Sequence, residues 1–324
     1  MQTDEKAAAP SALARHRVTI VAVAAVLFYL GFVQYLWGWR QILGQWNEIG
    51  YGPAVLASAL LVSTYFARTY RLYDYFPAET KGRFVELFHV AQVHNLLNIM
   101  LPFRSGETSF PLLMRSEFGV PLLHGTSALL VMRLLDLHAL LAAGGLGLVA
   151  ASGNRALAGA VWLAFLLSPL LAYQLKAPVL ALAKRRLTGK LLRITEGLED
   201  GLPASTLGLV CAWGMTVLNW GVKVLVLAWV LGLMGVGPIA AAFGGALGGE
   251  LSSVLPVHAP AGVGTYPAGI VAGAVSLGAS TARPAMDILG RASVNLHLIL
   301  IISALLGTLL SVALSTLDRL RRGG

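Results

Sequence analysis

Apolar runs long enough to cross a lipid bilayer recur along this chain, at 18–37, 52–67, 123–150, 156–175, 206–233 and 285–314. A helix crossing the roughly 30 Å hydrocarbon core needs about 20 mostly apolar residues. Inside lipid, the backbone must also satisfy its own hydrogen bonds, which only helices and closed barrels can do. Runs of this length therefore commit the chain to an all-α, polytopic membrane helix bundle. The charge content agrees: 12% of residues are Asp, Glu, Lys or Arg, about half the share usual in soluble domains. The chain reads as a single transmembrane domain over 1–324. Within it, 1–14 is a disordered tail, 15–175 a first half, 176–203 a basic cytoplasmic hinge and 204–324 a second half.

The net charge of +9 could suggest a nucleic-acid partner. Its placement argues against one. Basic runs such as Lys184-Arg185-Arg186 sit at helix ends, where they face anionic lipid headgroups. The apolar stretch from Val18 to Trp37 ends in Tyr-Leu-Trp-Gly-Trp. It is longer than the core of a signal peptide and closes on an interfacial aromatic belt, so it reads as an uncleaved first span. The single cysteine, Cys211, leaves no disulfide framework. Seven scattered histidines, with no His-x-x-x-His or His-x-Glu spacing, give no metal site. No Gly-x4-Gly-Lys-Ser/Thr loop is present, so no phosphate loop and no nucleotide cofactor is expected.

Two stretches interrupt the apolar pattern in a similar way. Asn95 to Glu107 is an apolar run ending in Leu101-Pro102 and then Arg104, Gly106 and Glu107. Glu250 to Gly264 ends its run in Leu255-Pro256 and continues through His258 to Gly262-Val263-Gly264. Proline removes a backbone donor and breaks a helix. Broken helices at membrane depth survive only where protein or a wet cavity buries them. Interruptions at matching places in two halves point to a transporter's binding site. Pro102, Pro256, Gly106, Gly262 and Gly264 are the residues expected to shape the two breaks.

Taking both elements as re-entrant, 16 Lys and Arg residues fall on the cytoplasmic side, Arg68 and Arg71 among them, against 3 outside. That asymmetry fits the positive-inside rule, with both termini cytoplasmic. It also makes the two elements enter from opposite sides, as inverted repeats do.

Ionisable side chains inside spans are costly and default to functional candidates. Arg104, Arg133 and Arg115 are candidates for a cationic pocket that takes a phosphate, since the guanidinium fork suits phosphate oxygens. Glu107 and Asp136 would orient those arginines; alternatively, the set is a structural ion-pair network. Arg133 and Asp136 share a helix face at i, i+3. Lys223 is a second headgroup contact or the partner of Glu250. Glu250 and His258 are proton-coupling groups, or hydrogen bonds stapling the second break. His138 and His297 read as satisfied interior histidines, and Asn95 and Asn98 as partners of freed backbone carbonyls. The paired glycines Gly244-Gly245 and Gly248-Gly249 read as close helix packing.

The stretch from His94 to Leu141 resembles the transmembrane region of the lysylphosphatidylglycerol synthases, the flippase-like domain family. Asn95-Leu-Leu, Leu101-Pro102, Arg104, Gly106-Glu107 and Arg133-Leu-Leu-Asp136 carry the likeness. Leu255-Pro256 through Gly262-x-Gly264 is similar to the family's second signature. Where the family often follows with a glutamate, this chain has Thr265-Tyr266-Pro267. The resemblance implies a lipid-translocating membrane unit of a bacterial inner membrane, without the soluble aminoacyl-transferase of the full synthases. The expected partner is a phospholipid or a polyprenyl-phosphate-type lipid. Two other readings stay open. One is a membrane-embedded transferase acting on polyprenyl-phosphate or hopanoid-type lipids; the other is an accessory scaffold for a biosynthetic complex.

Overall fold

A computed structural model describes residues 24, 26–203, 205–254 and 259–322. Among these, every regular element is helical. First among the described residues come α1 (Val26–Leu36), α2 (Trp39–Ile49) and α3 (Tyr51–Tyr75). A single turn, α4 (Pro77–Thr80), leads to α5 (Phe84–Met100), a 3-10 segment (Pro102–Thr108) and α6 (Ser109–Phe118). Then come α7 (Leu122–Ala151), α8 (Arg155–Gln174), α9 (Lys176–Arg186), α10 (Gly189–Asp200) and α11 (Thr206–Leu233). The second interrupted element is α12 (Ile239–Val254), a 3-10 turn (Pro260–Gly262) and α13 (Thr265–Ser276), and α14 (Arg283–Arg322) closes the chain. The helices α7, α8, α11 and α14 are long and apolar enough to span a bilayer; α2 and α3 pass together but meet at 93°. The chain is a multi-pass membrane protein, and an all-α bundle as expected.

Both interrupted elements are antiparallel helical hairpins. In the first, α5 stops at Met100, Leu101 is extended, and Pro102 opens the 3-10 segment. The chain then doubles back. His94 Nδ1 lies 2.9 Å from Ser109 Oγ near the tip, and Arg83 donates to the Glu117 carbonyl at 2.9 Å near the base. Phe110, Met114 and Phe118 of α6 pack on Leu87, Val90 and Ala91 of α5. In the second, glycines bring two backbones together: a Cβ on Gly248 would lie 2.2 Å from the Gly269 carbonyl oxygen, and one on Gly273 would lie 2.1 Å from that of Gly244. Close approach explains the glycine pairs read in the sequence. Leu255, Pro256, Val257 and His258 lie outside the described residues.

The last helix sets where the hairpins stand. Arg83, Glu117, Asp318 and Arg319 cluster at one end of α14. From there α5 runs along it, with His89 3.2 Å from Ser311 and Gln92 beside Gly307. At the other end Gly235, just before α12, touches Ile288. The tip of the second hairpin reaches His297, which contacts the Ala261 carbonyl at 2.8 Å. The two bases thus lie at opposite ends of α14, and the two tips meet near its middle.

Each hairpin has its own apolar core. Leu72, Phe76, Ala128 and Met132 join the first. Ala57, Leu61, Ala139, Leu140, Val224 and Leu227 join the second. Helices α3, α7 and α11 therefore run past a polar waist at the level of the tips.

Two sequence expectations change here. Helix α3 continues to Tyr75 instead of stopping at 67. Arg68 and Arg71, placed on the cytoplasmic side because they end an apolar run, instead face the protein interior; Arg71 is 5% exposed. Moving both leaves 14 basic residues against 3. The segment 176–203 is helical, with α10 docked on α7 where Gly201 meets Ser127.

Candidate functional site

Arg104 sits at the tip of the first hairpin with φ 54°, a left-handed backbone that a non-glycine residue rarely holds. Its guanidinium compensates by bridging the hairpins. It donates to the Ser253 carbonyl at 2.9 Å, to the Val254 carbonyl, and to Glu107. The last carbonyls of a helix have no intrahelical donor, so one hairpin caps the broken helix of the other. Behind Arg104, Gly106 must be glycine: a Cβ there would lie 2.5 Å from the Leu97 carbonyl. Gly262 and Gly264, with φ 71° and 74°, shape the second tip.

From Arg104 a chain of alternating charge runs inward. Arg133 Nε lies 3.0 Å from Glu107, and its Nη1 donates to Asp136 at 3.0 Å. Asp136 also accepts from Arg71 at 2.7 Å and from the Trp220 indole at 3.0 Å. Arg71 ends the chain by donating to Thr216 at 2.6 Å. The order is Arg104, Glu107, Arg133, Asp136, Arg71, which begins and ends on a cation. On the other side, Lys223 donates to Glu250 at 2.8 Å, and Tyr266 donates to the same carboxylate at 2.8 Å. Glu250 is fully buried.

One more cation faces this group. Arg68 donates to Asn95 Oδ1 at 2.9 Å and has no carboxylate within ion-pair distance among the described residues. Five cations thus stand against three carboxylates, an excess of two positive charges in the waist. Arg68, Asn95, Asn98, Arg104, Arg133 and Lys223 line a cavity of about 70 Å³ between the tips. Asn95 Nδ2 and Asn98 Oδ1 are buried there without a hydrogen-bond partner; Asn95 therefore caps no freed carbonyl and instead accepts from Arg68 through its Oδ1. Unpaired buried polar atoms are uncommon; these two leave a donor and an acceptor at the cavity. A volume of 70 Å³ has room for water-sized guests.

The structure gathers Arg104, Glu107, Arg133, Asp136, Lys223 and Glu250 into this waist. Arg115 is not among them: it is exposed in the last turn of α6, toward the base of the first hairpin. His258 and Pro256 lie outside the described residues. His297 stacks on Tyr266 at 5.3 Å, and His138 Nε2 lies 2.9 Å from the Phe165 carbonyl. Among the described residues no cluster of His, Cys, Asp and Glu is placed to hold a metal. Sequence reading missed Arg68, Arg71, Thr216, Trp220 and Tyr266. A signal for the first two exists: Leu61, Thr64, Tyr65, Arg68, Arg71 and Leu72 fall at the helical spacing of one face.

The family model for the lysylphosphatidylglycerol synthase TM region matches residues 19–303. The chain belongs to that family. No curated protein and no solved structure matches it.

Proposed function

Starting from that membership, we propose that the protein is a lipid translocase that passes a phosphate-bearing headgroup between the two hairpin tips. The observation that carries this reading is the excess positive charge around a cavity at the tips, with no carboxylate in ion-pair distance of Arg68 among the described residues. A buried guanidinium without a counter-charge costs several kcal/mol; an anionic headgroup supplies what is missing. Arg68 and Arg133 hold the phosphate, and Lys223 stands opposite, kept in place by Glu250. Arg104 is the latch: its bonds to the Ser253 and Val254 carbonyls hold the tips together, and letting go of them opens the cavity. Glu107 and Asp136 keep the arginines in place when no phosphate is bound.

Hairpins based at opposite ends of α14 favour an inverted pair that opens in turn to each leaflet. The basic residues, 14 against 3, favour a cytoplasmic face at the first hairpin's base and at both termini, in a bacterial inner membrane. The test is headgroup accessibility in proteoliposomes, using a panel of labelled phosphatidylglycerol, phosphatidylethanolamine and polyprenyl phosphate. At least one should cross faster than in protein-free vesicles, and Arg68→Gln or Arg133→Gln should abolish the gain in protein that remains folded. Undiminished transport in both folded variants would leave the charges a purely structural role.

A further inference from the structure

Outside the waist, α2, α3 and α14 enclose an open apolar groove of about 920 Å³. That is within the roughly 300–1,000 Å³ range of ligand clefts. Its wall along α3 extends from Tyr51 to Val62, roughly 16 Å at 1.5 Å per residue. This is about half of a 30 Å hydrocarbon core, the depth of one leaflet. The deep end is aliphatic, with Val62 and Leu306. The mouth is polar, with Arg40 and a hydrogen bond of 2.8 Å from Tyr51 to Asn47. Arg40 is exposed and makes no ion pair among the described residues. Helix α2, which carries it, stands at 93° to α3 and has aromatic residues at Trp39 and Trp46, the arrangement of a helix lying in the membrane interface.

We propose that this groove is a lipid-binding site, holding an acyl chain of a single-leaflet lipid whose phosphate sits on Arg40. The length, the one-ended polarity and the unpaired cation at the polar end select an anionic lipid over a protein segment. The site abuts the polar waist: Leu300 lines the cavity while Ile299 and Ile302 line the groove. Between them the hydrogen bond of Tyr65 to Ser303, 3.0 Å, closes the seam of α3 and α14. This deepens the translocase reading, on which only the lipid's onward path rests, by naming where the lipid waits.

The test is photolabelling of the full chain in phosphatidylcholine bilayers doped with phosphatidylglycerol carrying a diazirine on its acyl chain. Adducts should concentrate on peptides covering 54–62 and 298–306, above the lipid-facing side of α8. Arg40→Gln should reduce them about fivefold, the effect of one basic residue at an anionic surface. A diazirine diacylglycerol, lacking phosphate, should label the groove about fivefold less for the same reason. Ser58→Trp should abolish the enrichment, and Leu163→Trp on α8 should not; Val55→Trp, at an exposed position, carries the test if Ser58→Trp does not fold. Even labelling of α8 and the groove overturns the site, and equal labelling by the diacylglycerol overturns the phosphate contact. Enriched labelling without transport of any panel lipid would sink the translocase reading alone; transport with even labelling would sink the groove alone.

Discussion

Asp136 is the residue whose removal reports most on the waist. It is 2% exposed and accepts from Arg71, Arg133 and Trp220. Asp136→Leu strands two guanidiniums, but unequally. Arg133 keeps Glu107, whereas Arg71 loses its one carboxylate and keeps Thr216 alone. Breaking a buried pair from one side costs about 3–5 kcal/mol. The expected loss is in that range and is dominated by Arg71, a fall in Tm of roughly 5–10 °C. Rescue should therefore depend on which arginine is removed with it. Arg71→Leu with Asp136→Leu should recover most of the loss, because replacing a buried pair by apolar side chains is often neutral. Arg133→Leu with Asp136→Leu leaves Arg71 stranded and Glu107 with Arg104 as its one remaining arginine, so it should recover little. Thermal unfolding of the purified protein in detergent, run as two double-mutant cycles, measures both couplings. Equal rescue by the two arginines, or none by Arg71→Leu, would refute the assignment of Arg71 as the main counter-charge.

Other consequences follow from the same geometry. Lys223→Met should destabilise by about 3–5 kcal/mol because it leaves the fully buried Glu250 without its cation, and Glu250→Gln in the same chain should restore much of that Tm. Gly248→Ala should cost about 1–3 kcal/mol by driving a methyl into the Gly269 carbonyl, whereas Gly221→Ala, which meets nothing within 4 Å, should stabilise by roughly 0.5–1 kcal/mol; the two melts compared side by side check the hairpin packing. In a Cys211→Ser background, Glu117→Cys and Ser276→Cys, exposed at the bases of the two hairpins, should react with an impermeant thiol reagent from opposite faces of the membrane; reaction from one shared face would remove the opposed arrangement.

Much of this molecule is legible in its sequence because lipid leaves the backbone few options. The long runs fix α7, α8, α11 and α14, and Leu101-Pro102 fixes where α5 stops. The Arg133–Asp136 pair follows from one helical turn. What escapes is anything that depends on which way a polar residue faces. Arg68 and Arg71 look like the end of a span because hydropathy averages over the helix circumference; their inward partners lie on α5 for Arg68 and on α7 and α11 for Arg71. Arg115 has the reverse fate. Close to Arg104 in sequence, it is carried away because α6 turns back along α5. The link from Arg104 to the carbonyls of Ser253 and Val254, about 150 residues on, has no local signature at all.

In the proposed translocase, the cavity between the tips serves both sides of the membrane. Asn98 lines that cavity, and its Oδ1 has no partner to lose, so Asn98→Cys in the Cys211→Ser background is a suitable reporter. The decisive measurement is its reaction with an impermeant thiol reagent applied to each face of oriented vesicles in turn. Reaction from both faces, slowed by a transported lipid, is the expected result. Reaction from one face only, or from neither while the protein is folded, contradicts a site that alternates between leaflets.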